Sequence, residues 1–269
     1  MIRLKTTEEI KLLRESGRLA AQALRFAGSL VRPGVSTLEI DDKVREFILD
    51  HGAYPSPLNY PGRPTDPRKP RIEQGCFPYS ICTSRNEVVT HGIPSAKEFL
   101  GEGDIVNLDI TVCLKGYHGD CSATYFVGEV SPEARHLVET TRKCLEAGIE
   151  SAKEGAFLND VGASIQDLAE AEGYSVVREF CGHGIGKGFH EEPQVLHYGR
   201  AGTGVELKPG MIFTIEPMIN AGKREIKQLA DGWTIVTRDR SLSAQWEHMI
   251  LVTETGFEVL TQSAGSPPK

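Results

Sequence analysis

Two stretches near the start of the chain carry apolar residues at helical spacing. The first opens at Thr6, which forms a capping-box pattern with Glu9, and stops at Pro33. The second opens with the same pattern at Ser36 and stops at Gly52. The apolar residues that share one face are Ile10, Leu13, Leu24 and Ala27 in the first stretch, and Ile40, Val44, Phe47 and Ile48 in the second. This period predicts two amphipathic helices.

A different pattern follows these helices. Residues 55–71 contain six prolines and four basic residues, a composition typical of a loop. Apolar runs at 104–114 and 121–128 are typical of β-strands. The first half of the chain is therefore predicted to run helix, helix, loop and strands.

Helical spacing then returns in the second half. One helix is predicted from Ser131, and another from Asn159 to Gly173. Shifting the sequence by 121 residues places Gly173 on Gly52. The same shift also aligns apolar positions, namely Val161 with Ile40, Ile165 with Val44 and Leu168 with Phe47. The second pair of helices is therefore expected to resemble the first.

The strands repeat as well. Residues 103–109 line up with residues 210–216, and each segment ends on an acidic residue. We interpret the chain as two related halves, 5–130 and 131–262, within one catalytic domain, 1–269, because no linker separates them. Chance similarity between amphipathic helices is the alternative, and the matched acidic positions favour duplication.

Composition narrows the class of protein. The 269 residues, 39% of them apolar, suffice for one large α/β core. A formal net charge of −7 argues against DNA binding. Because the N-terminus is charged and no run approaches ~18 apolar residues, we expect a cytoplasmic protein without membrane association. The six cysteines contain no C-x-x-C pair and are expected to be reduced thiols, and the tail at 263–269 is expected to be mobile.

Four acidic residues stand in apolar strands. Asp109 and Asp120 flank the Lys and Gly at 115–116, so a hairpin would bring them to one face. Glu216 and Glu247 occupy similar places in the second half. The alternative to a shared site is that each acidic residue lies separately on a solvent-exposed face of its strand. Four carboxylates that converge on one point need about two divalent cations, because repulsion and poor solvation otherwise oppose the arrangement.

A histidine within a glycine-rich segment is the candidate fifth ligand. His183 lies in the sequence CGHGIGKGFH, where glycines permit close backbone approach. A phosphate-binding loop is the alternative. Neither G-x-G-x-x-G nor G-x-x-x-x-G-K-[ST] is present, which argues against phosphate.

The residues around these positions resemble those of one known family. Asp109, Asp120, His183, Glu216 and Glu247, in that order, are similar to the ligand set of the methionine aminopeptidases. The matching segments are NEVVTHGIP at 86–94, DIT at 109–111, GD at 119–120, GHGIG at 182–186 and TIEP at 214–217. The resemblance covers residues 5–262 and favours the short, type I form, since the chain shows neither the N-terminal domain of prolidases nor a Cys-rich zinc extension.

The resemblance implies a fold and an activity. The fold would be the pita-bread fold, an α/β (α+β) architecture in which two pseudo-symmetric halves form a curved antiparallel sheet covered by helices. The activity would be removal of the N-terminal methionine from nascent proteins and peptides, preferentially when the second residue is small. Two divalent ions, Co, Mn, Fe or Zn, would activate the attacking water. A monomer with transient ribosome contact is expected.

The same resemblance implies roles for individual residues. Glu216 would be both a metal ligand and the proton shuttle. His190 would donate to the carbonyl oxygen of the scissile bond and His91 to its nitrogen, so both would bind substrate and take part in catalysis. The methionine pocket would consist of Tyr60, Phe77, Cys82, Phe189 and Trp233. Without a resemblance a lone histidine is more often structural, and that assignment is kept for His51, His118, His136, His197 and His248.

The chain departs from the family pattern at one place. The counterparts of Tyr60 and Phe77 are nearly adjacent in type I enzymes, whereas residues 63–76 intervene here. A disordered surface loop is the favoured interpretation, and covering the site or binding a partner are the alternatives. Two other functions also remain open, a proline-specific peptidase on the same fold and a non-catalytic relative that binds peptides or nucleic acid.

Overall fold

The first two helices begin where their capping residues predict. In the computed structural model, which describes residues 2–262, they are α1 (Thr7–Leu30) and α2 (Thr37–Asp50). The Thr6 hydroxyl accepts a hydrogen bond from the Glu9 amide (3.3 Å), and the Glu9 carboxylate accepts one from the Thr6 amide (3.0 Å). At α2 the Ser36 hydroxyl accepts from the Glu39 amide (3.1 Å), whereas the Glu39 carboxylate contacts Lys43. Of these two helices, α1 has the complete capping box and α2 has only its serine half.

The second pair of helices follows the same plan. They are α3 (Pro132–Ser151), capped by Ser131, and α4 (Leu158–Ala171). Asn159 was predicted to open α4, and that is wrong by one residue. The Asp160 carboxylate accepts the Phe157 amide (2.7 Å) at the helix start, while the Asn159 side chain donates to Thr203 (3.0 Å). The cap therefore comes from the residue after the predicted one.

Matched glycines support the predicted repeat. Gly52 and Gly173 each lie two residues beyond a helix, with φ of 73° and 80°. Gly103 and Gly210 precede matching strands with φ of 89° and 90°. Backbone in this left-handed region strains a residue that carries a Cβ, so the two halves require glycine at equivalent points.

The strands are short except for one long hairpin. In chain order they are β1 (Tyr54–Pro55), β2 (Cys82–Arg85), β3 (Val88–Thr90), β4 (Ile105–Leu114), β5 (Tyr117–Phe126), β6 (Ser175–Val176), β7 (Gly182–Gly184), β8 (Glu191–Val195), β9 (Ile212–Ile215), β10 (Met218–Asn220), β11 (Ile226–Gln228), β12 (Ile235–Thr237), β13 (Ser243–Gln245), β14 (His248–Thr253) and β15 (Gly256–Val259). The run predicted from residue 121 actually begins at Tyr117, because the turn occupies only 115–116.

Every pair of neighbouring strands within residues 2–262 is antiparallel. The sheets have the orders β1-β4-β2 with β5 on β4, β13-β10-β6, β11-β12-β3 and β15-β14-β9-β7-β8. A backbone bridge between Ser122 and Glu247 joins the first hairpin to the strands of the second half. The Gln245 carbonyl strengthens this seam by accepting hydrogen bonds from Asn107 and Thr124. The acidic positions of both halves thus meet along one seam.

The helices cover these sheets. Apolar residues of α1 and α2 pack with β4 and β5 in one core, and those of α3 and α4 pack with β9 and β14 in a second core. The six cysteines are free thiols. Within residues 2–262, no helix is long and apolar enough to cross a membrane. The tail predicted at 263–269 lies outside the described residues.

Gly162 allows α4 to pack closely against the backbone of residues 196–198. A Cβ on Gly162 would lie 2.5 Å from the Leu196 carbonyl oxygen and 2.7 Å from the Tyr198 nitrogen. Both atoms are backbone and cannot rotate away. We expect Gly162→Ala to destabilise the protein by about 1–3 kcal/mol, despite alanine's better helix propensity. Urea unfolding measures this change, and Asp167→Ala on the exposed face of α4 serves as the control. Equal midpoints for Gly162→Ala and wild type would contradict the argument.

Candidate metal centre and cavity

The β4–β5 hairpin brings two carboxylates to one face. Asp109 pairs with Ser122 and Asp120 pairs with Thr111, so the two acids are diagonal neighbours. The prediction that they share a face is confirmed, and direct opposition does not occur. Diagonal neighbours on paired strands lie roughly 7–8 Å apart through space. Their carboxylates can therefore approach a common point from two sides.

The second half brings its two acids into direct opposition. Ile215 pairs with His248 and Met218 pairs with Gln245, and this common register puts Glu216 opposite Glu247. The residue after Glu216 is a proline, which has no N–H to donate and interrupts the ladder there. The two halves therefore present their acids with different registers.

His183 lies on β7 beside these acids. A Cβ on the preceding Gly182 would be 2.3 Å from the Thr214 carbonyl oxygen, so glycine allows β7 to lie close to β9. His183 Nδ1 is 3.0 Å from the Gly184 carbonyl oxygen, which assigns the proton to Nδ1. Nε2 then turns its lone pair toward Asp120 (3.7 Å) and Glu216 (3.6 Å).

The five side chains form a compact acidic cluster. Ligand atoms of Asp120, His183 and Glu247 all lie within 4.8 Å of one another. Glu216 joins them through its contact with His183, and Asp109 lies near enough to raise the pKa of Asp120. We call Asp109, Asp120, His183, Glu216 and Glu247 the acid cluster.

The acid cluster is electrostatically unfavourable by itself. Burial raises the pKa of Asp109 to about 7. Burial, followed by repulsion from neighbouring acids, raises the pKa of Asp120, Glu216 and Glu247 well above ordinary values. Among the ion pairs of residues 2–262, none brings a lysine or arginine to these four acids. A divalent cation would supply the missing positive charge, and carboxylate oxygens with one imidazole nitrogen are suitable donors.

Neighbouring polar groups orient the acids. The Thr111 hydroxyl donates to Asp120 (2.7 Å), and the Thr214 hydroxyl donates to Glu216 (2.7 Å). The Glu216 amide donates to His197 Nε2 (3.1 Å). None of these three contacts was predicted from the sequence, where His197 was taken as a structural histidine. Thr111 and Thr214 could have been found, since each is two residues from an acid along a strand and shares its face.

A cavity of about 590 Å³ opens over the acid cluster. All twelve residues predicted for the site line it, including Tyr60, Phe77, Cys82, Phe189 and Trp233. Its lining also includes residues that the sequence analysis did not single out, among them Phe180, Cys181, Gln194 and Met218. The cavity thus has an acidic floor and largely aromatic walls.

The walls are built from aromatic contacts. Tyr60 contacts Phe189 and His190, with ring centroids 5.2 and 5.1 Å apart. Trp233 contacts Phe77 at 5.4 Å and His91 at 5.9 Å. Edge-to-face packing of this kind is favourable and stiffens the walls.

The histidines of the cavity are neutral. Burial lowers the pKa of His91 to about 4 and that of His190 to about 3. A neutral imidazole keeps one N–H donor and one acceptor nitrogen. Each can therefore donate a hydrogen bond to a substrate without carrying charge at neutral pH.

The segment 63–76 leaves the cavity wall between Tyr60 and Phe77. Its residues are mostly exposed, and none of them is among the described residues that line the cavity. Asn59 closes its stem by donating to the Arg63 carbonyl (2.7 Å) and accepting from the Glu73 amide (2.6 Å). The Phe77 amide donates to the Tyr60 carbonyl (2.8 Å), so the two residues lie side by side despite the intervening segment.

The chain is similar to known proteins over nearly its whole length. Residues 11–254 match metallopeptidase family M24. Methionine aminopeptidase A of a Synechocystis strain is 52% identical over 260 residues, which are 97% of this chain and 97% of that protein. Methionine aminopeptidase of Escherichia coli is 49% identical over 97% of this chain and 94% of its own length. The crystal structure of methionine aminopeptidase from Rickettsia prowazekii superposes with a TM-score of 0.90 and 48% identity, over 97% of this chain and 100% of that chain.

Proposed function

Since the chain belongs to metallopeptidase family M24, we propose that it hydrolyses the first peptide bond of its substrates in the cavity over the acid cluster. The chain is an aminopeptidase that removes the N-terminal methionine from proteins and peptides. It has the pita-bread fold expected from the resemblance and takes a divalent metal cofactor. Peptide N-termini are its substrates.

One observation carries the assignment to this cavity. Four carboxylates with raised pKa values and a neutral histidine form the floor of a cavity whose walls are aromatic. Such buried repulsion is costly to a folded protein unless a ligand relieves it. The floor suits a metal, and the walls suit an apolar side chain.

We assign the metal ligands to Asp109, Asp120, His183, Glu216 and Glu247. Nine donor atoms, eight carboxylate oxygens and one nitrogen, are enough for two divalent ions of the Co, Mn, Fe or Zn class. The bound ions would polarise the scissile carbonyl and bring the pKa of a water toward neutrality. Glu216 belongs to this floor and would accept the water's proton and return it to the leaving amine. The Thr214 hydroxyl orients the Glu216 carboxylate for this transfer.

His190 and His91 would donate hydrogen bonds to the substrate. His190 lies against His183, with ring centroids 4.3 Å apart, and this contact with the floor supports a role in which it would donate to the substrate's carbonyl oxygen. His91, at the end of β3, has φ of 56°, a strained value for a residue with a Cβ. Its ring would donate to the scissile amide nitrogen. Both donors would act most strongly as charge develops in the transition state.

The methionine side chain would occupy the aromatic wall. Tyr60, Phe77, Phe189 and Trp233 supply ring surface that suits a flexible thioether. Burial raises the pKa of Cys82, which therefore contributes a neutral thiol to the wall. A small second residue would fit best, as the resemblance implies.

We further propose that one chain acts alone, as a single catalytic domain in the cytoplasm. All residues assigned to the cavity come from this chain and from both of its halves. Nascent chains would meet it through transient ribosome contact, without DNA or membrane binding. Sedimentation of the active enzyme at monomer mass supports this proposal, and activity confined to a dimer contradicts it.

Turnover of two peptides tests the function. With divalent metal added, we expect cleavage of Met-Ala-Ser at least about 100-fold faster than that of Ala-Pro-Ala, because the aromatic wall suits methionine and a buried pocket discriminates by its contacts. Preference for Ala-Pro-Ala would identify a proline-specific peptidase. Absence of cleavage together with absence of metal binding in calorimetry would indicate a non-catalytic relative.

A further inference from the structure

The glycine-rich loop beside the cavity binds a carboxylate of the same chain, that of Glu191. The Glu191 carboxylate accepts a hydrogen bond from the Gly188 amide (2.8 Å) and pairs with the ammonium group of Lys5. The Lys5 side chain is 5% exposed and that of Glu191 is 25% exposed. The loop that could have suggested phosphate binding therefore encloses an internal carboxylate.

Glycine at two positions makes room for this ion pair. A Cβ on Gly186 would lie 2.5 Å from Lys5 Nζ and 2.7 Å from Glu191 Oε1. A Cβ on Gly188 would lie 3.0 Å from the Glu191 side chain. Side chains at these positions would displace the pair, so loop and ion pair fit each other closely.

Lys5 reaches the loop from residues 2–6, which we call the N-terminal strap. The Lys5 amide donates to the carbonyl of Gly210 (2.8 Å), two residues before β9. On the opposite side, the His118 amide donates to the Gly186 carbonyl (2.9 Å), and the His118 ring stacks on Phe189 at 5.7 Å. The loop is thus held from two sides, by the strap and by β5.

The ion pair lies one residue from a proposed substrate contact. Glu191 directly follows His190, and both line the cavity. Burial alone would raise the pKa of Glu191, but the hydrogen bonds from Lys5 and Gly188 bring it below its ordinary value. The carboxylate is therefore charged at neutral pH, and loss of Lys5 would leave that charge without its cation.

We propose that the Lys5–Glu191 ion pair is a positioning device that holds the loop 185–190, and with it His190, against the acid cluster. This inference rests on the function proposed above. Lys5 is not among the described residues that line the cavity. It acts through Glu191 and the Gly188 amide, and small displacements of a catalytic donor are sufficient to slow a reaction severely.

Kinetics of Lys5→Met test the proposal. We expect kcat for Met-Ala-Ser to fall by about 10–100-fold with KM changed less than about threefold, because the donor is misplaced while the methionine pocket remains. In a His190→Ala background the same substitution should have little further effect, since the group that it positions is already absent. Arg14→Met is the matched control. It breaks the ion pair between α1 and Glu258 (2.7 Å), which shares no residue with the loop or the strap, and should leave kcat unchanged.

Hydrogen exchange gives a readout that does not depend on activity. In metal-free protein, Lys5→Met should speed amide exchange within residues 185–191 and leave residues 105–114 as in wild type. If Lys5→Met does not fold, Glu191→Gln replaces it, because glutamine keeps an oxygen for the Gly188 amide and removes only the charge.

Two results would overturn the proposal. One is a wild-type kcat in the folded variant, and the other is an equal fold-loss in the wild-type and His190→Ala backgrounds. If wild type itself fails to cleave Met-Ala-Ser, the proposed function fails, and faster exchange in 185–191 would still support the mechanical role of the strap.

Discussion

We expect Glu216→Gln to reduce kcat for Met-Ala-Ser by about 10²–10⁴-fold while the protein stays folded. The amide keeps the size of the carboxylate and an oxygen that can accept from Thr214, which lies 2.7 Å from Glu216. It cannot take a proton from water, and it is a weaker metal ligand. Steady-state kinetics at saturating metal, with bound metal measured on the same sample, determine the effect.

Although its activity should fall, the metal-free Glu216→Gln variant should be more stable than the wild-type protein. Burial and the neighbouring acids raise the pKa of Glu216 well above its ordinary value, so the charged carboxylate destabilises the metal-free fold. Removing it should increase the unfolding midpoint of the metal-free protein at neutral pH. Glu225→Gln, at an exposed position, is the control and should change neither rate nor midpoint. A Glu216→Gln rate within threefold of wild type would eliminate Glu216 as the proton shuttle.

Local patterns were sufficient to predict most of the elements. The helices follow from apolar spacing and from capping residues such as Thr6, since a cap satisfies amides that the helix leaves free. The glycine after α2 could be predicted to end it because only glycine adopts its φ of 73° without strain. The start of α4 was missed by one residue, since Asn159 and Asp160 are both suitable capping residues and tertiary contacts decided between them.

The register of the strand pairs was harder to predict than which acidic residues share a face. Asp109 lies opposite Ser122, which is two positions from Asp120. Because side chains alternate along a strand, Asp109 and Asp120 therefore lie on one face. Their diagonal placement depends on the two-residue turn, in which Lys115 and Gly116 both have positive φ. The direct opposition of Glu216 and Glu247 likewise depends on a register that apolar pattern alone does not specify.

Contacts between distant segments were not predictable from one sequence. His197 accepts the amide of Glu216, 19 residues away, and nothing in its local sequence indicates this contact. Lys5 and Glu191 are 186 residues apart. The composition of 63–76 predicted a loop but not the Asn59 stem that closes it. In each case the tertiary fold brings together two residues that are distant in the sequence.

Metal removal should have the second large effect. We expect a chelator to reduce activity at least about 100-fold and divalent metal to restore it, because the water and the scissile carbonyl lose their activation. At a metal concentration 1,000-fold above Kd, binding should stabilise the fold by about 4 kcal/mol. An Asp109→Asn, Asp120→Asn double variant should lose this metal-dependent stabilisation. Calorimetry and thermal unfolding measure both effects.

The pH dependence of the metal-free protein follows from the same acids. Burial raises the pKa of Asp109 from 3.8 to about 7, so between these values the folded state binds protons that the unfolded state has released. Stability that is present near pH 4 is therefore lost as pH rises through 7, and Asp120, Glu216 and Glu247 shift in the same direction. Bound metal should flatten or reverse this slope, because it favours the charged carboxylates. Between pH 5 and 6.5 the buried neutral histidines oppose this slope, because burial lowers their pKa values and only the unfolded state binds their protons there. A metal-free unfolding midpoint that rises between pH 7 and 8, above the ordinary pKa of histidine, would contradict the raised pKa values of the four acids.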